Sequence, residues 1–491
     1  MRSVGLLRSW IRQQASSIHR PERFTAMTDR TDARVVAGEQ MDTENARLSE
    51  LGYKPELSRS LSLADVVIYG LIYMVPIAPI SVFGVVYNLS VGAAGAVYVI
   101  TALVMTFSAL SYREMALQFP VAGSVYSYVR LGTSTFIGFI SGWAILLDYL
   151  LLPALLCVFA SLAMASLVTV VPGWAWVILF VAATAFINIM GVSVTARMNK
   201  VFLCIQLAVL TLFVLWATVL IVRGEAHLSF DVLIPSSTSS WGLVASAVPV
   251  AALSFIGFDA ISTLNEEAEH GGATVARATM IVMWCVGVLF VLQVCLAAVL
   301  VPTGTTFADG DATNNAFYDI VSHSMASWFG TVVLLTNALI ALFANAIASN
   351  ATSSRLVFSM ARDGQLPRFL AKVSDRKVPR NAMVFIAVLS IGVGVLGVEK
   401  AGLLITLVTF GALTAYILLN VAVINHFMVR GKSRRFFLHL ISPIVGTAIL
   451  LFALWSANPH AKILGICWLA VGLGVAAFFK ATGRSMEQSD L

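Results

Sequence analysis

Between residues 62 and 480, apolar runs of about 20 residues follow one another with short polar interruptions, and each is long enough to cross a hydrocarbon core. This recurrence argues against a soluble fold. The chain is 59% hydrophobic and 11% charged, whereas soluble domains carry about a quarter of their residues as charges. The expectation is an all-α polytopic membrane protein, because a helix satisfies its own backbone groups where no water can. Twelve runs read as spanning helices, at 62–87, 92–113, 136–166, 173–190, 198–222, 242–264, 275–301, 325–353, 382–397, 402–426, 437–456 and 461–480. Only the turn from Gly397 to Gly402 separates the ninth from the tenth.

The net charge of +6 sorts by loop rather than by domain. With the N-terminus placed in the cytoplasm, the inside loops and C-terminal tail hold 18 Lys and Arg, among them Arg113, Arg130, Arg277, Arg355, Arg376, Lys377 and Arg430. The outside loops hold Arg223, Lys400 and Lys462. By the positive-inside rule this asymmetry puts both termini in the cytoplasm. It also explains the basic charge without nucleic-acid binding. The five cysteines all fall in apolar runs, with no CxxC pair. They read as packing residues, and no metal site, disulfide or cofactor is implied.

Residues 1–60 contain ten Lys and Arg and no spanning run. They read as a disordered cytoplasmic tail, and residues 481–491 as a second, short one. The first 26 residues, with Glu22 their single acid, faintly resemble an organellar transit peptide; an upstream start codon, with Met27 or Met41 as the true start, is the preferred explanation.

Two spans carry helix breakers at corresponding places. In the first, Pro76 and Pro79 stand three residues apart in Tyr73-Met74-Val75-Pro76-Ile77-Ala78-Pro79, and each removes a donor and disfavours helix before it. In the sixth, Gly257 precedes Asp259, roughly 180 residues later. Either could be an ordinary kink or packing position. Together they point to a transporter of inverted repeats with its site at the midplane between them.

Intramembrane carboxylates sharpen this. Asp148 lies about 18 Å into the third span, near the centre of a core of about 30 Å. Asp259 and Glu266 are seven residues apart, on one face of a continuous α-helix, about 10 Å apart along its axis. Glu267 falls beside Glu266, and both glutamates read equally as solvated charges at a helix end. A charge at such depth is a functional-site hypothesis by default. Gln206, Asn345, Asn350, Tyr416 and Asn420 are weaker signals, more commonly bonds across helices than pathway residues. Aromatic residues such as Trp143, Phe255 and Phe258 are more often packing.

Five motifs stand out: Leu61-Ser62-Leu63-Ala64-Asp65, Tyr112-Arg113-Glu114, Phe119 to Tyr126, Gly257-Phe258-Asp259 and Met360-Ala361-Arg362-Asp363-Gly364-Gln365-Leu366-Pro367. On these the chain resembles the amino acid, polyamine and organocation permease superfamily over roughly residues 58–480. Leu147-Asp148-Tyr149 to Pro153, Phe410-Gly411-Ala412-Leu413 and Asn425-His426-Phe427 look most like bacterial putrescine importers and their relatives.

The resemblance implies a LeuT-type fold with broken helices 1 and 6, built as a 5+5 inverted repeat (61–222 and 241–426) with two extra helices (437–480). It implies no enzyme, but alternating-access import of a small organic amine across a bacterial inner membrane, with protons as the coupling ion. The partners are then a putrescine-like or amino acid substrate, protons and the lipid membrane. Substrate contacts are expected from Tyr73, Met74, Val75, Ile77, Asp148, Phe255, Gly257, Phe258, Asp259 and Tyr416, the aromatic side chains forming an apolar sleeve. Coupling or gating is expected from Asp148, Asp259, Glu266 and Gln206. Two departures matter. The first break is proline-rich rather than glycine-rich, so it is poorer in donors for a carboxylate. Gln206 also stands where many proton-coupled relatives have a lysine, and an amide carries no proton at neutral pH. An amino acid permease or exchanger with another coupling ion is the alternative, and a membrane sensor that retains the permease fold is the alternative of a different class.

Overall fold

A computed structural model describes residues 59, 61–121, 123–190, 192–226, 229–235, 239–302, 304–372, 379–456 and 459–481. Of the expected tails at 1–60 and 481–491, residues 1–58, 60 and 482–491 lie outside the described residues, as do Ala122, Arg376 and Lys377 of the motifs and charges above.

Among the described residues the regular structure is helical, apart from one isolated parallel bridge between Leu61 and Ala268. Nine segments of the described residues are long and apolar enough to cross a membrane, and Gly173–Ile189 and Lys462–Phe478 are shorter apolar helices. One of the nine, Arg380–Arg430, contains two helices, Arg380–Gly397 and Ala401–Val423, joined by the single turn Val398–Lys400. The short connection expected from Glu399 and Lys400 is therefore present.

Two helices arise where the sequence read as loop. Ser124–Gly132 is too short to span, and Asp311–Ser324 is too polar. The second is amphipathic, burying Ala316, Phe317, Ile320 and Val321. A one-sided stripe of this kind packs a helix on the bundle without carrying it through the lipid. The eighth span is also not one uniform helix: Ser327–Leu335 and Phe343–Arg362 flank a π-helical stretch, Thr336–Leu342.

The helix Thr135–Leu167 runs through the centre, packed on Phe343–Arg362, Ala401–Val423 and Arg380–Gly397. Small residues permit the close approaches. A Cβ on Gly411 would lie 2.7 Å from the carbonyl oxygen of Ala144, so only glycine lets these two backbones touch. At the rim, Trp143 and Trp468 stack at 4.8 Å, and each indole N–H donates to the other's backbone oxygen, at 2.8 and 2.7 Å. Trp143 is thus a packing residue, fixing the helix Pro459–Ala481 against Thr135–Leu167.

Candidate substrate site

The first break begins where the helix Leu63–Met74 stops. That helix starts firmly, with Ser62 and Asp65 in a reciprocal capping box. Its end is strained: Val75, a β-branched residue, takes φ 51°, a region costly for such side chains. Pro76 has no N–H to continue the ladder. The chain resumes as a short 3-10 turn, Ala78–Val82, and then the helix Phe83–Ser90. The backbone carbonyl of Pro76 is not left bare, since the Gln293 side-chain amide donates to it at 2.9 Å from the helix Gly271–Leu300.

The second break follows the helix Trp241–Phe255. Ile256 is extended, Gly257 has φ 127°, and Phe258–Leu264 continues as a 3-10 helix. The two breaks are pressed together: a Cβ on Gly257 would sit 2.6 Å from Tyr73 Cδ1 and 3.3 Å from the Tyr73 carbonyl oxygen. Glycine is needed here twice over, for the positive φ and for the space.

Asp259 is the hub of the arrangement. Its Oδ1 accepts from the Gly257 backbone N–H at 3.2 Å and from the Tyr416 hydroxyl at 3.0 Å, and its Oδ2 from the Tyr149 hydroxyl at 2.8 Å. Three spans therefore converge on one carboxyl group, which is 1% exposed. Hydrogen bonds to an ionised carboxylate are about twice as strong as those between neutral groups. Asp148, also 1% exposed, is close enough to interact electrostatically with Asp259. Its Oδ1 is fully buried and has no hydrogen-bond partner. One acid is thus satisfied and the other still has an open acceptor.

A small cavity opens against both breaks, touched by Met74 and Val75 on one side and by Ser254 and Ile256 on the other. It lies toward the C-terminal half of the first broken span and the N-terminal half of the second, where Ala78, Val82 and Leu253 also line it. Aliphatic residues of the third span, including Leu152, Leu155 and Leu156, form another wall.

Two apposed helix breaks, a buried acid pair and a cavity against both breaks in an apolar helical chain describe a membrane carrier, and sequence comparison decides which kind. The profile of the family described as amino acid permease matches residues 62–488. The chain belongs to the amino acid permease family. Among similar proteins, the low-affinity putrescine importer PlaP of Escherichia coli is 29% identical over 429 residues, covering 85% of this chain and 93% of that protein. The branched-chain amino acid permease BcaP of Lactococcus lactis is 25% identical over 410 residues, covering 77% and 85%. The methylthioribose transporter of Bacillus subtilis is 25% identical over 461 residues, covering 87% and 94%. These relatives are transporters, not enzymes, and this permease is likewise a multi-pass membrane protein with no reaction to catalyse.

The permease brings Tyr73, Gly257, Asp148, Asp259 and Tyr416 into one neighbourhood and Met74 and Val75 to the cavity. Ile77 is fully buried within the first break. The aromatic side chains are differently employed from the expected sleeve. Phe255 packs into a cluster with Tyr98 and Phe290, and Phe258 packs on Tyr112 and Tyr416. Tyr416 turns its hydroxyl to Asp259, so the apolar wall is built from leucines instead.

The expected alignment of Asp259 and Glu266 on one α-helical face is corrected. Phe258–Leu264 is 3-10 and Asn265 lies in a turn; at about three residues per turn, a seven-residue step rotates a side chain away from its starting face. Glu266 is nevertheless buried, at 6% exposed, rather than solvated. Glu267 pairs with Arg355 at 3.5 Å. Gln206 is fully buried, and neither its Oε1 nor its Nε2 has a partner.

Tyr149 and Gln293 escaped the sequence reading. Tyr149 follows Asp148 directly, and a step of one residue on a helix suggests a different face, yet its hydroxyl reaches Asp259 in the 3-10 segment Phe258–Leu264. Gln293 was visible as a lone amide in an apolar run, a pattern that usually signals a bond across helices.

Proposed function

We propose that this permease is a secondary active transporter importing a small organic amine, a putrescine-like polyamine or an amino acid, across the bacterial plasma membrane by alternating access, with protons as the coupling ion. The observation that carries the reading is the unpaired, buried oxygen of Asp148 beside an Asp259 already supplied with three donors. An open acceptor in a low-dielectric site demands either a proton or a cationic donor. The arrival of one can displace the other, which couples the two movements. Gly257 and Val75, the strained points of the two breaks, are where the helix halves would hinge between outward and inward states.

Twelve spans, the inverted five-helix repeats with two extra helices, and cytoplasmic termini belong to the same proposal. The sorting of Lys and Arg supports that orientation, in which the cavity opens outward. Import of an amino acid is favoured by one specific feature, the aliphatic wall of Leu152, Leu155, Leu156 and Leu253, which suits an apolar side chain. The similarity to PlaP favours the diamine.

Uptake into proteoliposomes decides. A panel of labelled putrescine, leucine and related amines and amino acids is offered with and without an imposed pH gradient, and with sodium in place of the gradient. Saturable uptake driven by the pH gradient is expected. Uptake that follows sodium and ignores a protonophore rejects proton coupling, and no uptake of any panel member rejects the transport reading.

A further inference from the structure

The cavity between the breaks is lined by neither Asp148 nor Asp259. Its polar lining side chains are Ser81, Ser254 and Asn345. Two of these are engaged: the Ser81 hydroxyl accepts from Asn337 Nδ2 at 2.9 Å, and the Ser254 hydroxyl pairs with that of Tyr98 at 2.9 Å. Asn345 is 7% exposed, and its amide oxygen Oδ1 is buried with no partner. It sits one turn beyond the π-helical stretch Thr336–Leu342. A π turn inserts a residue, re-registers the side chains that follow and recurs at functional sites. Leu342 and Asn345, which leave that turn, both reach the cavity.

We infer that Asn345 is the specificity-determining residue of the outward cavity, its amide oxygen accepting a hydrogen bond from the ammonium group of a solute whose aliphatic body rests on Leu155, Leu156 and Leu253. This rests on the proposed amine transport and adds which group makes the first polar contact. A buried unpaired acceptor penalises the empty cavity and any ligand lacking a donor. An ammonium satisfies it; a deaminated analogue of the same shape does not. Sites built to hydrogen-bond a ligand group reject analogues without it far more strongly than apolar pockets reject a missing methylene. The acceptor is neutral, so it holds the cation without fixing it, and the carboxyl groups beyond the breaks take it over when the cavity closes.

The test is uptake by the reconstituted full chain, wild type and Asn345→Leu, of whichever of leucine or putrescine the wild type transports. Competition by the amine and by a counterpart without a donor, 4-methylpentanoate for leucine or 1,4-dimethoxybutane for putrescine, is measured in parallel. Hydrogen bonds to charged groups predict that Asn345→Leu raises KM about tenfold or more, with Vmax changed less than about twofold. The preference for the amine over the deaminated competitor falls by a similar factor. A merely structural asparagine would instead lower yield and Vmax and leave the preference intact. Unchanged KM and preference in Asn345→Leu overturn the inference while leaving transport itself standing. If Asn345→Leu does not purify folded, Asn345→Ala is judged by the same two readings. A wild type that takes up no amine defeats the proposed function separately.

Discussion

The side-chain amide of Gln293 donates to the backbone carbonyl of Pro76 at 2.9 Å, tying an unbroken helix to the point where another is interrupted. A helix that stops within the membrane leaves carbonyls without their usual donors, and those groups must be satisfied by protein or by a water-filled cavity. Gln293, itself fully buried, supplies one such donor. It therefore holds the break open as a defined structure rather than an unravelled segment.

Replacing this amide by an isosteric apolar group should lower stability. Gln293→Leu leaves the Pro76 carbonyl buried and unpaired, at a cost of about 1–3 kcal/mol. The measurement is thermal unfolding of the purified protein in detergent, with a lower melting temperature expected. An unchanged melting temperature means that the carbonyl finds another partner and the bond is incidental.

Tyr149 and Tyr416 reach Asp259 from the third and tenth spans and share one carboxyl group. Tyr149→Phe and Tyr416→Phe each remove a hydrogen bond to a charged or partly charged acceptor, worth about 1.5–3 kcal/mol. Each should reduce uptake about tenfold or more at unchanged membrane expression. Because both act on one group, the double variant should depart from additivity by at least about 0.5 kcal/mol. Strict additivity would mean that the two hydroxyls serve different ends.

Gly257 is the turning point of the second break, with φ 127° and Tyr73 within contact of any added Cβ. Gly257→Ala forces an unfavoured backbone region, at roughly 1–3 kcal/mol, and also pushes the Tyr73 ring away. Since both costs fall on the apposition of the breaks, transport should be nearly abolished even where the protein still inserts and folds. Wild-type uptake by Gly257→Ala would remove the glycine from the mechanism.

Much of this arrangement was legible in the chain because its causes are local. Proline at 76 and 79 cannot donate within a helix, and Gly257 beside a buried acid breaks the next one, so both interruptions could be read without coordinates. The burial of Asp148 followed from its place inside a long apolar run. The conformation after Gly257 was not legible. Whether Phe258–Leu264 winds as α or 3-10 depends on Asp259 capturing the Gly257 N–H and on the tyrosines from distant spans that hold the same carboxyl. Nor was the π stretch, since Thr336-Asn337-Ala338-Leu339-Ile340-Ala341-Leu342 has the composition of any apolar helix. What distinguishes it is tertiary: Asn337 bonds both Ser81 and Tyr318.

The two acids should separate when each is made neutral. Asp148→Asn replaces a group that can exchange a proton by one that cannot, while keeping its shape and adding no new charge. If the open Oδ1 of Asp148 is where proton and substrate alternate, this variant should still exchange labelled for unlabelled substrate across the membrane. It should no longer accumulate substrate in response to a pH gradient. Asp259→Asn should behave differently, because its partners are fixed. Oδ1 accepts from the Gly257 N–H, which can only donate, so the amide oxygen must stay there and the new NH₂ must face Tyr149. The Tyr149 hydroxyl can turn to accept, so folding should survive, but the negative charge at the hub is lost. Exchange and accumulation should then fall together. Parallel counterflow and gradient-driven uptake assays on both variants distinguish these outcomes. If Asp148→Asn retains full gradient-driven accumulation, the proton does not travel through that carboxyl group and the coupling site lies elsewhere in the bundle.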